Sequence, residues 1–103
     1  MPLTLSRTEL VRTANLIDGS WRAALDGRCF DVTNPATLDT IAYAPDSGAA
    51  DARAGTDAAA RALPAWRATP ARERAAILRA WHAAIVAHTD DLAKLMSLEQ
   101  GKP

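Results

Sequence analysis

The sequence predicts an α/β chain. Short antiparallel strands are expected over about residues 14–45, followed by two or three α-helices over about 49–63, 70–88 and 90–99. Three observations carry that reading. Two Asp-Gly pairs, Asp18-Gly19 and Asp26-Gly27, punctuate short runs rich in strand-forming residues. The stretch from Ala49 to Leu63 is Ala-rich and favours helix. Beyond Thr69-Pro70, Ile77, Leu78, Trp81 and Ile85 recur with a period near 3.6.

Taken in chain order, Ser6-Arg7-Thr8-Glu9 has the spacing of a capping box and predicts a helix of one or two turns through about Arg12. Leu16-Ile17-Asp18-Gly19-Ser20-Trp21 predicts a hairpin, because Asp-Gly accepts positive φ at both positions of a type I′ turn. Asp26-Gly27 repeats the signal before a strand at Arg28–Val32, which Asn34-Pro35 ends. Thr40-Ile41-Ala42-Tyr43-Ala44 alternates and reads as another strand, closed by Pro45-Asp46-Ser47-Gly48. Residues 14–45 thus read as one small antiparallel unit.

In the next stretch, Asp51 suits the dipole of a helix start. Ala50, Ala54, Ala58 and Ala62 form a stripe that permits close approach, and Gly55 costs that helix about 1 kcal/mol relative to Ala. Leu63-Pro64-Ala65-Trp66 reads as a turn. Thr69 is expected to cap the next helix with Pro70 in its first position. Thr89, before Asp90-Asp91, reads as a second cap, with a kink or restart there. Leu92, Leu95 and Met96 extend the apolar face. Gly101 ends the helix and Pro103 follows.

Composition excludes several classes. The chain has 103 residues, of which 49% are hydrophobic. Nearly half of those are Ala, so the apolar volume available for a core is small. Twelve Lys and Arg balance twelve Asp and Glu, leaving no basic surplus for a nucleic-acid partner. No apolar run is long enough to cross a membrane, and Met1 to Thr13 lacks the continuous apolar stretch of a secretory signal. One cysteine cannot form an internal disulfide, which fits a cytoplasmic location.

The chemical inventory is sparse. No glycine-rich phosphate loop and no zinc spacing occurs. Cys29, beside Phe30 on a strand, reads as a small buried side chain; a catalytic thiolate would need a His or a helix N-terminus nearby. His82 and His88 lie six apart and do not share a helix face, so they read as surface or helix-end residues. Asp90-Asp91 is explained by the helix dipole. Trp21, Trp66 and Trp81 read as core or interface residues rather than a stacking platform. Arg72, Arg74 and Arg79 read as a solvated face offset by Glu73, largely off the apolar stripe.

Five segments also resemble the aldehyde dehydrogenase family, in the same order and spacing across about residues 14–103. Leu16–Trp21 resembles its opening L-I-N-G-E-W hairpin, and Phe30–Thr37 its F-x-V-x-N-P-A-T segment. Ala60–Arg67 and Arg72–Leu78 resemble its first two helices, and Leu98–Pro103 the end of the following one. The wording around Leu63 to Trp81 and Glu99-Gln100-Gly101 is nearest to the succinate-semialdehyde dehydrogenases.

The resemblance implies an NAD(P)-dependent oxidation of an aldehyde to an acid, by a cysteine nucleophile with a glutamate that activates water. It places that cysteine, that glutamate and the dinucleotide loops beyond Pro103, so no catalytic or cofactor-binding residue is assigned here. Residues 1–103 are then the incomplete N-terminal part of a dinucleotide-binding domain. That part is expected not to fold autonomously, to bind neither NAD nor NADP alone and to be inactive alone. Its partners are expected to be the rest of the enzyme chain or a homo-oligomer. The resemblance also implies a monovalent-cation site that draws on Val32, Thr33 and Glu99, whose oxygen ligands suit a hard cation. The alternative reading is a small non-catalytic helical module that binds or dimerises through the Ile77, Leu78, Trp81, Ile85 and Leu92 stripe.

Overall fold

Asp18 and Gly19 both take positive φ, 52° and 73°, and close the expected tight turn between β1 (Asn15–Ile17) and β2 (Ser20–Arg22). These and the following features come from a computed structural model that describes residues 4–102. Pro103 and the first three residues of the Met1–Thr13 run therefore lie outside the described residues.

The second Asp-Gly pair behaves differently. Gly27 takes φ 71°, but its N–H donates to the Ala24 carbonyl at 2.9 Å and closes a local turn. No hairpin joins β2 to β3 (Cys29–Thr33). Instead β3 pairs antiparallel with β4 (Thr40–Pro45), Cys29 opposite Pro45 and Val32 opposite Ala42. The expected single unit is two separate two-stranded ribbons. The β3–β4 link is organised by Asn34, whose Oδ1 accepts the Ala36 N–H at 2.9 Å and whose carbonyl accepts the Leu38 N–H at 2.7 Å.

Three helices follow: α1 (Ala49–Ala68), α2 (Ala71–Ala87) and α3 (Thr89–Gln100). The expected turn at Leu63–Trp66 is absent, and α1 runs through Pro64. Proline removes one backbone donor. Helix-forming residues on both sides carry the ladder on, and the Thr69 N–H closes it on the Ala65 and Trp66 carbonyls at 3.1 Å each.

The threonine caps also differ from expectation. Thr69 precedes a proline and is held extended, at ψ 128°. Its hydroxyl donates back to the Ala65 carbonyl at 2.9 Å and closes α1. Pro70 is the N-cap of α2, without a side-chain bond. Thr89 is the first residue of α3, and its hydroxyl donates to the Val86 carbonyl at 2.8 Å. His88, at φ −110° and ψ 19°, is the break between α2 and α3, where a restart is expected.

The N-terminal arm forms only a 3₁₀ turn at Thr8–Leu10, with no side-chain cap. The Ser6 capping box does not form because the arm's amides are held elsewhere, by Asp91. Asn15 Nδ2 donates to Ser47 Oγ at 2.7 Å and ties the first ribbon to the start of α1.

Little of this chain is hidden from water. Ala24 and Ala58 are the buried apolar residues among those described. The chain exposes 7931 Å², against about 5,600 Å² for a folded monomer of its mass. Its radius of gyration is 16.8 Å, against about 13 Å for a compact chain of its length. No helix among the described residues is long and apolar enough to cross a membrane.

Candidate functional site

Two aspartates organise the backbone. Each stands at the third position of a helix, where free N–H groups and the helix dipole favour an anion. Asp51 of α1 accepts the Gly48 N–H at 2.9 Å and the Leu25 N–H at 3.0 Å. The first bond is half a capping box; glycine has no side chain to complete it. Asp91 of α3 accepts the Ser6 N–H at 2.8 Å and the Arg7 N–H at 2.9 Å. Both carboxylates are buried. Each therefore holds a distant loop against a helix start, and the dipole alone is not the explanation of Asp91. The Ser6 N–H lowers the Asp91 pKa most; the Arg7 N–H, Lys94 and His88 add to it, against the opposing effect of burial. Lys94 Nζ also reaches the Thr4 carbonyl at 3.2 Å, so the arm lies along α3.

Gly101 closes α3 in the left-handed region, at φ 66°. A Cβ there would stand 2.9 Å from the Ala36 nitrogen and 3.0 Å from the Pro35 ring. This contact sets the end of α3 against the turn that follows β3. Val32 and Glu99 line one concavity of about 260 Å³ together with Leu10, Tyr43 and Leu95. Thr33 is exposed and follows the register irregularity at Val32/Thr33; it is not in that lining. Of the three residues assigned by resemblance, the structure brings two together.

Cys29 is exposed rather than buried. It lines a concavity of about 480 Å³ with Val11, Ile41 and Tyr43, and no histidine borders it. Exposure follows from its place on the wall of that open concavity. The tryptophans are not core residues: Trp21, Trp66 and Trp81 are all exposed, and the Arg12 guanidinium sits 4.7 Å above the Trp21 ring. Among the described residues, no group of three or more His, Cys, Asp or Glu side chains is placed to hold a metal.

The pattern of ribbons and helices is shared by known proteins. Residues 21–103 match the aldehyde dehydrogenase family. The chain belongs to that family. It is 52% identical over 101 residues to the NADP(+) succinate-semialdehyde dehydrogenase of Escherichia coli, covering 98% of this chain and 21% of that protein. It is 46% identical over 101 residues to the glutarate-semialdehyde dehydrogenase of Pseudomonas putida, with the same coverage of 98% and 21%. The crystal structure of an E. coli NADP dependent enzyme superposes with a TM-score of 0.95 at 53% identity, over 97% of this chain and 21% of that one. The chain spans about a fifth of the length of the relatives it matches.

Within this aldehyde dehydrogenase segment, sequence reading missed the two carboxylate clamps and the approach of Gly101 to Ala36. The clamps had a local signal, an acid three residues after each helix cap. Their distant partners, Leu25 and Ser6-Arg7, had none. Arg74 was also misplaced: it is half-buried, and its Nε is buried without a hydrogen-bond partner among the described residues. The expected continuous face also divides, because Leu92 and Leu95 are half-buried whereas Met96 is exposed.

Proposed function

We propose that the chain is the N-terminal segment of an NAD(P)-dependent aldehyde dehydrogenase that oxidises succinate semialdehyde to its acid in the cytoplasm. The observation that carries this reading is the 52% identity, over 98% of this chain, to the NADP(+) succinate-semialdehyde dehydrogenase of E. coli. In the assembled enzyme NAD or NADP supplies the hydride acceptor. The residues present here build scaffold: the ribbons, the Asp51 and Asp91 clamps, and an apolar helix surface for later chain to cover. The surface and radius of gyration, both above those of a compact monomer, support a segment that does not fold as an autonomous domain.

The 103 residues alone are inactive in this reading. Thiolate attack needs a nucleophile with a base or a positive field beside it; no histidine borders the Cys29 concavity, and the neighbouring Arg28 is paired with Asp46 at 3.0 Å. The monovalent-cation role of Val32, Thr33 and Glu99 belongs to the same proposal. Backbone carbonyls and a carboxylate are a donor set that fits a hard cation, and Val32 and Glu99 share a concavity. In this role they fix the end of α3 against the turn after β3.

The test is NADPH or NADH formation at 340 nm from succinate semialdehyde. The purified chain is expected to give none. A chimaera that carries these residues in place of the corresponding segment of the E. coli relative is expected to turn over. Activity of the 103 residues alone, or an inactive chimaera, would overturn the reading. The exposed α2 stripe favours a second reading, a non-catalytic interaction module, for which a discrete, cooperatively melting dimer of the isolated chain is the signature.

A further inference from the structure

The N-terminal arm is held at two places, by different parts of the fold. At one end Asp91, in the first turn of α3, accepts the Ser6 and Arg7 amides at 2.8 and 2.9 Å, and Lys94 Nζ donates to the Thr4 carbonyl at 3.2 Å. At the other end the Arg12 guanidinium lies 4.7 Å from the centre of the Trp21 ring, on β2. The residues between are not slack. The Leu10 and Val11 amides donate to the Arg7 and Thr8 carbonyls at 3.2 and 3.1 Å and wind the stretch into its 3₁₀ turn. A wound, hydrogen-bonded linker passes a displacement of one end to the other, whereas a loose one would absorb it.

The same stretch walls two concavities. Leu10, Val11 and Arg12 line the one that holds Val32 and Glu99, and Val11 and Thr13 line the one that holds Cys29. Leu10 and Val11 are half-buried, so the arm leaves only by uncovering apolar surface. Residues 4–13 belong to no strand, and no sheet ladder fixes them. A segment held by a few contacts at its ends opens as a unit, at a lower cost than the ribbons and helices it bridges.

We propose that the N-terminal arm is a strap. The Asp91 latch on α3 and the Trp21 latch on β2 open and close together, and the arm between them is a removable wall shared by the Val32–Glu99 and Cys29 concavities. Loosening one latch is then felt at the other latch and at that wall. Asp91 and Arg12 are positioning residues: they act through the arm.

The test is hydrogen exchange in the chimaera with the E. coli relative, read away from the latch that is cut. Arg12→Ala removes the ring contact from an exposed side chain. It is expected to speed exchange of the Ser6 and Arg7 amides about threefold, the worth of an exposed cation–π contact. Arg12→Lys keeps the cation and is expected to stay nearer the parent. Asp91→Ala is expected to speed exchange at Leu10 and Val11 about tenfold or more, although neither amide bonds to Asp91, because two charge-assisted bonds hold that latch. Asp90→Ala, an exposed change in the same first turn of α3, controls for the helix start and is expected to leave these amides within about twofold of the parent. Ser6 and Arg7 exchange at the parent rate in Arg12→Ala, or Leu10 and Val11 unchanged in Asp91→Ala, makes the two contacts independent and overturns the proposal. An effect of Asp90→Ala as large as that of Asp91→Ala overturns it too, since fraying of α3 would then account for the change. If Asp91→Ala does not fold, Arg12→Ala decides alone.

Discussion

Asp51→Ala removes two hydrogen bonds at once, and their worth can be worked from the structure. The carboxylate accepts the Gly48 N–H at 2.9 Å and the Leu25 N–H at 3.0 Å, and Asp51 is only 7% exposed. Loss of the helix-start bond costs about 1 kcal/mol. The Leu25 amide, left without its acceptor in a part-buried position, adds about 1–3 kcal/mol. The higher helix propensity of Ala and the lost dipole interaction nearly cancel, each below about 1 kcal/mol. The expected loss is about 2–4 kcal/mol, which in the chimaera with the E. coli relative speeds hydrogen exchange at Leu25 and Gly48 by about 30-fold or more.

Asp51→Asn keeps one acceptor oxygen and is expected to lose about half as much. Asp57→Ala, an exposed change on the same helix, is expected to stay within about 0.5 kcal/mol. Hydrogen exchange at Leu25 and Gly48 in the chimaera reads both the local stability and the bonds. If exchange at Leu25 and Gly48 in Asp51→Ala stays within about twofold of the parent chimaera, on the order of ordinary surface changes, the clamp is not a stabilising contact.

Three further outcomes are expected in the same chimaera. The folded-state pKa of Asp91 lies below its unfolded value, so the arm's tether is fully present above the ordinary carboxylate range and is lost as pH falls through the lowered value; the Ser6 and Arg7 amide shifts should titrate below that range by NMR, and titration above it would contradict the bond. Gly101→Ala forces an L side chain into φ 66° and within 2.9 Å of the Ala36 nitrogen; a loss of about 1–2 kcal/mol from the backbone alone is expected in thermal melts, with more from the contact. Gly55→Ala meets open space within α1 and should stabilise the helix by up to about 1 kcal/mol, so a lower melting temperature would show a close neighbour that the fold does not have.

Local chemistry was legible and distant pairing was not. Asp18-Gly19, Asn34-Pro35 and Gly101 each impose a backbone conformation through their own side chain or its absence, so their turns and cap stand where the sequence places them. Thr69 and Thr89 misled because a hydroxyl next to a helix end has two carbonyl-rich neighbours, and the preceding helix won both times. Pro64 misled because proline's cost is finite, and a helix with strong formers on both sides absorbs it. For the candidate site, Val32 and Glu99 were named through family resemblance. Their shared concavity depends on how the end of α3 meets the turn after β3, which no short stretch of sequence encodes. Arg74 was read by its charge, whereas its position on the periodic line was the better guide.

The two aspartate tethers also impose an order of events during synthesis. The Leu25–Asp51 bond spans 26 residues, and the Ser6–Asp91 bond spans 85. A chain made at roughly 5–20 residues per second holds its Ser6 and Arg7 amides free for several seconds before Asp91 exists. The first tether can therefore lock early and locally, whereas the N-terminal arm must wait for the last helix of this segment. Until then the arm is the part of the nascent chain most open to a protease, a chaperone or a wrong partner.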